Sequence, residues 1–310
     1  MIKLQVFLET VSEKRCGKDF GLVYNPEFIA LGRIISDFLN PDMVLIGASD
    51  VKAGVLVEEI HRKLVNNHPD IHTMNFYNAE LAKIALNAYC VMKINFANTL
   101  AEICERMPGG NAQVITKAIG SDRRIGYKYF SPGLSVAGPC FPRDSRAFFQ
   151  SASRYDVYAR IAEAADITNT YNKERIAKRI AEILENKKLN RVAILGLSYK
   201  EDTSVIEESN AVYIAKYLIA QGHFISVYDP DPIAMSSAIK EIDNENAFEY
   251  ASVVDCLRGT QLCFIATPWE TFKHIPRETF IKNMKCPIIF DAWDLITDDQ
   301  DLEIYRIGLA

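Results

Sequence analysis

The chain has 310 residues, 49% hydrophobic and 24% charged, with a formal net charge of -5. That is the balance of a globular protein with room for two or more cores, and not of a disordered or fibrous chain. The slight acidity without any basic block excludes a nucleic-acid surface, and no apolar run approaches the ~18 residues that cross a bilayer. The seven cysteines, at positions 16, 90, 104, 140, 256, 263 and 286, form no CxxC pair. They indicate neither a disulfide framework nor a metal site. With no secretory h-region at the start, the expectation is a cytoplasmic protein with free thiols.

In chain order, "IKLQVFLETVSEK" predicts a helix, "DFGLVYNPEF" a strand running into a turn, and "DMVLIGAS" a strand rich in Val, Ile and Leu. An amphipathic helix is expected over residues 51–64. This is a piece of an α/β layer, without the opening strand and glycine-rich turn of a doubly wound sheet. Residues 78–107 predict a long helix that is apolar almost all round and therefore largely buried. Glu80, Lys83 and Asn87 share one of its faces, and Asn98 returns to that face. Buried polar groups cost free energy unless paired, so these residues form either a solvated edge or a seam facing a site.

"MPGGN" ends that helix, and a shorter one follows before a loop carrying Arg123 and Arg124. Then comes "VAGPCFPRDSRAF". Pro139 and Pro142 predict a stiff turn rather than a helix, with Gly138 giving freedom just upstream. The turn presents Cys140 with Arg143 and Asp144 close behind. A thiol held beside a cation and a carboxylate is a candidate nucleophile; a buried structural cysteine is the other reading. Residues 145–188 read as helical throughout. From Arg191 apolar strands ("RVAILGLSY", "HFISVYDPD", "QLCFIATP", "CPIIFDAW") alternate with helical segments, which predicts a Rossmann-like parallel sheet covered on both faces. Its first strand is followed by Gly196 alone and not by G-x-G-x-x-G. That argues against ordinary dinucleotide binding there and leaves room for a nucleotide held differently.

The order of "YNPEF", "NPDMVLIG", "AELAKIALNAY", "RIGYKYFSPG", "GPCFPRD", "LGLSYKEDT", "ES" and "VYDP" resembles the UDP-glucose/GDP-mannose dehydrogenase family over nearly the whole chain. The resemblance implies NAD-dependent oxidation of a nucleotide sugar at C6, twice, to a uronic acid. Cys140 matches the family's nucleophile and Asp144 the aspartate that assists water and proton transfer. Lys83 and Asn87 match the pair that stabilises the oxyanion. It also implies substrate-binding roles for Glu27, Phe28, Arg124, Phe130, Gly138, Phe141 and Lys200, and a cofactor-binding role for Arg143. The implied organisation is a remnant of the NAD-binding domain over 1–75, a central helical dimerisation domain over 76–188, and a UDP-sugar-binding domain over 189–310. A homodimer is implied as well.

The departures are specific. Most of the NAD-binding domain is expected to be missing, so that NAD would need a separate chain. Leu31 stands where the family has a second carboxylate, and Arg143 replaces a lysine. Glu207 and Asp294 reverse charges where arginines are expected. The alternative expectation is therefore a truncated, non-catalytic nucleotide-sugar-binding or dimerisation module.

Overall fold

The computed structural model describes residues 1–297 and 299–310. It divides into two compact units, Met1–Asn87 and Ala88–Ala310. Among the described residues no helix is long and apolar enough to cross a membrane.

The first unit runs α1 (Ile2–Ser12), β1 (Val23–Tyr24), α2 (Ile34–Leu39), β2 (Met43–Ala48), α3 (Val51–Leu64) and β3 (Asp70–Met74), then the start of α4 (Phe76–Arg106). Its sheet has the order β1-β2-β3, with β2 antiparallel to β1 and parallel to β3. Val44, Leu45 and Ile46 of β2 are buried, as a central strand requires. β3 was not legible in the sequence: its exposed positions make "DIHTM" too polar to read as a strand. α3 starts at Asp50, whose side chain accepts from the Ala53 amide. This cap holds the Asp50 carboxyl below its ordinary range, mainly through that backbone hydrogen bond.

The second unit holds the rest of α4, then α5 (Ala112–Gly120), α6 (Phe141–Ser153) and α7 (Arg160–Asn186). Two corrections to the expected helices follow. The predicted continuous helix is broken between α6 and α7. α4 is not buried all round either, since Tyr89, Phe96 and Ile103 are each more than half exposed. The remaining elements are β4 (Arg191–Leu195), α8 (Asn210–Ala220), β5 (Phe224–Tyr228), α9 (Pro232–Ile242), β6 (Ala247–Glu249), α10 (Val253–Leu257), β7 (Leu262–Ile265), α11 (Glu270–Lys273), α12 (Arg277–Asn283), β8 (Ile288–Asp291) and β9 (Glu303–Arg306).

The six strands β4 to β9 form one parallel sheet in the order β6-β5-β4-β7-β8-β9. Numbered from its own first strand, this is 3-2-1-4-5-6, the doubly wound Rossmann order, whose direction switches between β4 and β7. The expected fold class is thus present. β6 and β9 are not legible in the sequence because they are edge strands, partly exposed and without a continuous apolar run. One core packs α7 and α8 on one face (Ile176, Ile180, Ile194, Ile214, Phe264), and a second covers the other face (Leu195, Ile265, Phe272, Phe280).

At the end of β4 the chain turns through Gly196 with φ +88°, where an added Cβ would lie 2.4 Å from the Thr267 Cβ. Both the left-handed backbone and the contact exclude a side chain. Gly196→Ala is expected to cost about 2–4 kcal/mol, read as a lower urea midpoint with an unchanged m-value.

Candidate active site

Cys140 is the N-cap of α6, and Pro142 lies in that helix's first turn. A helix thus begins where Pro139 and Pro142 predict a stiff turn. In a first turn the missing proline N–H costs nothing, because that amide has no intrahelical acceptor. The thiol therefore stands, exposed, at the positive end of a 13-residue helix, which favours negative charge there. Asp144 follows one turn on and is buried. Its amide donates to the Cys140 carbonyl at 2.8 Å, and its Oδ1 accepts from Arg143 Nε at 3.0 Å. Arg143 points outward, its guanidinium held above its ordinary value chiefly by that bond to Asp144.

The strand-like loop leading to Cys140 is fixed by three buried asparagines from three helices. Asn98 of α4 accepts from the Gly133 amide at 2.9 Å. Asn169 of α7 accepts from the Val136 amide at 2.7 Å and donates to the Val136 carbonyl at 3.0 Å. Asn210 of α8 donates to the Ser135 carbonyl at 2.7 Å. Next along, the Gly138 amide donates to the Glu207 carbonyl at 3.0 Å. Gly138 has φ +84°, and a Cβ there would stand 2.5 Å from Tyr199 Cε2, so the glycine lets the Tyr199 ring lie against the loop. Burial pushes the Tyr199 phenol up, and the nearby Cys140 adds to the shift. The Tyr199 loop is fastened at its other end by Glu208, which pairs with Arg146 at 3.1 Å and Lys173 at 3.2 Å. Burial alone would raise the Glu208 carboxyl, but the two cations outweigh it and hold it below its ordinary value.

Beside this loop the second unit has a cavity of about 810 Å³. Its walls include Tyr127, Phe130, Phe141, Tyr199, Lys200 and Trp293. Trp293 is held by an indole N–H···O=C bond to Ala266 at 3.0 Å. Mostly apolar walls with a few fixed polar groups are the usual make-up of a small-molecule site.

The structure brings Phe130, Phe141 and Lys200 onto this one cavity and sets Gly138, Cys140, Arg143 and Asp144 along the adjoining helix start. Arg124 is not among the cavity's lining residues; its side chain engages Asp122 at 2.6 Å and is largely exposed. In the first unit Lys83 Nζ donates to the Glu27 carbonyl at 2.7 Å and lies 4.3 Å from the centre of the Phe28 ring. These three predicted residues therefore meet, and Lys83 ties the "NPEF" turn to α4. Asn87, the last residue of that unit, is buried, and Leu31 is partly buried. Glu207 meets the loop through its main-chain carbonyl, and its exposed carboxylate adds, behind Asp144, to holding the Arg143 guanidinium above its ordinary value. Asp294 lies on the cavity wall, its carboxylate paired with Arg306 at 2.6 Å.

Sequence reasoning missed Asn169, Asn210, Trp293 and Arg306. The first had a signal, because an asparagine inside the apolar helical pattern of α7 needs a partner. Arg306 had none, lying on the unrecognised edge strand β9.

Three family models cover most of the chain. The UDP-glucose/GDP-mannose dehydrogenase family's NAD binding domain matches residues 3–65, its central domain 77–171 and its UDP binding domain 193–298. The chain is 30% identical over 300 residues to a UDP-glucose 6-dehydrogenase of Rickettsia conorii, covering 95% of this chain and 68% of that protein. The chain belongs to the UDP-glucose/GDP-mannose dehydrogenase family. It is also 31% identical to the UDP-glucose 6-dehydrogenase TuaD of Bacillus subtilis, covering 90% of this chain and 59% of that one. A solved UDP-glucose dehydrogenase from Pyrobaculum islandicum superposes with a TM-score of 0.83 at 27% identity, over 97% of this chain and 67% of that one. The chain thus spans about two thirds of the length of these relatives. The expectation that most of the NAD-binding domain is missing finds no support, because that domain's model matches residues 3–65.

Asn169→Ala would leave the buried Val136 N–H and C=O without partners. The expected cost is about 2–4 kcal/mol, with faster amide hydrogen exchange over residues 133–138 than in the unchanged protein.

Proposed function

We propose that the chain is a nucleotide-sugar 6-dehydrogenase of the UDP-glucose 6-dehydrogenase type, oxidising a sugar C6 alcohol to a carboxylate through Cys140. The observation that carries this reading is the exposed thiol at the start of α6, next to a nucleotide-sized cavity. The similar proteins named UDP-glucose 6-dehydrogenase support it.

NAD would supply the oxidant, one molecule for each of the two hydrides lost from C6. The sequence has no G-x-G-x-x-G turn, and the N-terminus of α3, which follows β2 in the first unit, is filled by the Asp50 carboxylate. A pyrophosphate is not accommodated at that helix start, and residues 1–87 assign the dinucleotide no glycine-rich seat.

The chain's own residues account for the covalent steps. Cys140, as thiolate, adds to the C6 aldehyde and forms a thiohemiacetal, whose oxidised form is a thioester. Water adds to the thioester carbon, the C–S bond breaks, and the thiolate and a carboxylate are released. Asp144 takes the proton of that water, the role its position one turn from Cys140 supports. The family resemblance gives Lys83 and Asn87, one helical turn apart on α4, an oxyanion-stabilising role. The nucleotide end of the substrate takes the cavity walled by Phe130, Lys200 and Trp293.

The protein also works as a homodimer in this reading. Tyr89, Phe96 and Ile103 repeat every seven residues along α4 and are 58%, 57% and 53% exposed. A repeating apolar seam of this kind is the pattern of a helix that packs against a partner. Sedimentation at micromolar concentration is expected to give a dimer, and Phe96→Glu a monomer; a monomer in the unchanged protein would reject the dimer.

Cys140 is expected to react first with iodoacetamide, well before the buried Cys90, Cys104, Cys256 and Cys263. A UDP-hexose C6 aldehyde, adding reversibly to the thiol, is expected to protect Cys140 from iodoacetamide. Equal labelling of Cys140 and the buried thiols, with no protection by the aldehyde, would refute the assignment.

A further inference from the structure

The cavity of the second unit contains a cation whose charge is already taken. Arg306 lies on its wall with a side chain only 10% exposed. Its Nε meets Asp294 Oδ1 at 2.6 Å and its Nη2 donates to the Ile296 carbonyl at 2.6 Å. The main chain of Arg306 is fixed twice. It pairs in register with Asp291 in the sheet, and its carbonyl accepts from Arg179 Nη1 at 2.9 Å. Arg179 is held in turn by Glu105 at 3.0 Å, and the Gly308 amide also donates to Glu105. Arg306 therefore cannot move far without breaking buried bonds.

Asp294 is held differently. Its side chain is 45% exposed, and its backbone is left-handed at φ +58°, a sparsely populated conformation for any residue but glycine. Its second oxygen has a long contact of 3.4 Å from Gln113 Nε2. Of the two partners, the carboxylate is the one free to leave.

We infer that Asp294 is an internal counter-ion that occupies the anion-binding guanidinium of the cavity and is displaced by the diphosphate of the ligand. This rests on the reading of the cavity as a nucleotide-sugar site. An arginine guanidinium binds a carboxylate and a phosphate through the same N–H groups, so the two anions compete for Arg306. Asp294 thereby sets the affinity for the charged part of the ligand and leaves the base and ribose unaffected. Lys117 and Lys200 remain on the same wall, so the site keeps cations of its own when Arg306 is neutralised.

The test is calorimetric titration of the full chain, with UDP and uridine as the two probes. Asp294→Asn keeps the shape and removes the competing charge. It is expected to tighten UDP by about threefold to tenfold and to leave uridine unchanged. Arg306→Gln is expected to weaken UDP, and the double variant to lose the gain. If Arg306→Gln melts early and proves unfolded, the Asp294→Asn comparison decides alone. UDP binding that is equal or weaker in Asp294→Asn overturns the inference and leaves the nucleotide reading standing. Tighter uridine binding in that variant also overturns it, because the effect would not be that of a phosphate. No UDP binding by either protein overturns both readings together.

Discussion

The buried amide contacts that hold residues 133–136 are what the rest of the second unit's site depends on. An extended loop cannot satisfy its own N–H and C=O groups, and leaving them buried and unpaired costs more than the packing returns. Asn98, Asn169 and Asn210 supply the missing partners, and each belongs to a different helix. The loop is therefore as rigid as the three helices that hold it. It carries the chain directly into Gly138 and Cys140, so the position of the thiol is set by side-chain amides deep in the core and not by contacts at the surface. Asparagine suits the task because one side chain both donates and accepts, as Asn169 does toward Val136.

A second constraint acts at the carboxyl ends of the Rossmann strands, where such sheets bind ligands. Here two carboxylates already occupy the backbone amides. Asp229, after β5, accepts from the Leu197 and Ser198 amides at 2.6 and 3.0 Å. Asp291, ending β8, accepts from the Trp293, Leu295 and Ile296 amides. Burial pushes the Asp291 carboxyl up, and the three amides pull against that shift. In a dinucleotide site such amides face a pyrophosphate; in this sheet they face the protein's own carboxylates. The side chains on the cavity wall beside this edge, Lys200, Trp293 and Arg306 among them, come from the loops and from β9, and the single Gly196 serves close packing on Thr267.

Much of this was legible in the sequence, for physical reasons that differ by element. β4, β7 and β8 are buried on both faces, so their sequences are unbroken apolar runs; α7 keeps a 3.6-residue apolar stripe over 27 residues. β3, β6 and β9 lie at sheet edges, are partly exposed, and show no such run. The start of α6 was misread because proline was weighed as a helix breaker without regard to position. The grouping of Cys140, Arg143 and Asp144 was nevertheless legible, since it depends on their adjacency alone. The paired role of Asn169 and the cavity position of Arg306 depend on residues distant in sequence, and no local pattern encodes them. The apolar character of α4 was read correctly, but burial did not follow from it, because an apolar face can also wait for a partner.

The two charge reversals show why residue type alone does not give the potential at a site. Both Glu207 and Asp294 replace expected cations, and from the sequence both appear hostile to an anion. The structure separates them. Glu207 turns its side chain to solvent and contributes a carbonyl to the Gly138 amide, a contact that any residue with the same backbone would make. Its negative charge lies near Arg143, whose guanidinium it helps, behind Asp144, to hold above its ordinary value. Asp294 does face the cavity, but 2.6 Å from a buried guanidinium, so the pair presents a dipole and not a net charge. A position-by-position count of charges predicts repulsion twice. The geometry sets one charge beside the exposed Arg143 and makes the other half of an ion pair with the buried Arg306. What decides between these outcomes is the long-range fold, through the placement of β9 beside β8, which delivers Arg306 to a wall that the local sequence around Asp294 cannot supply.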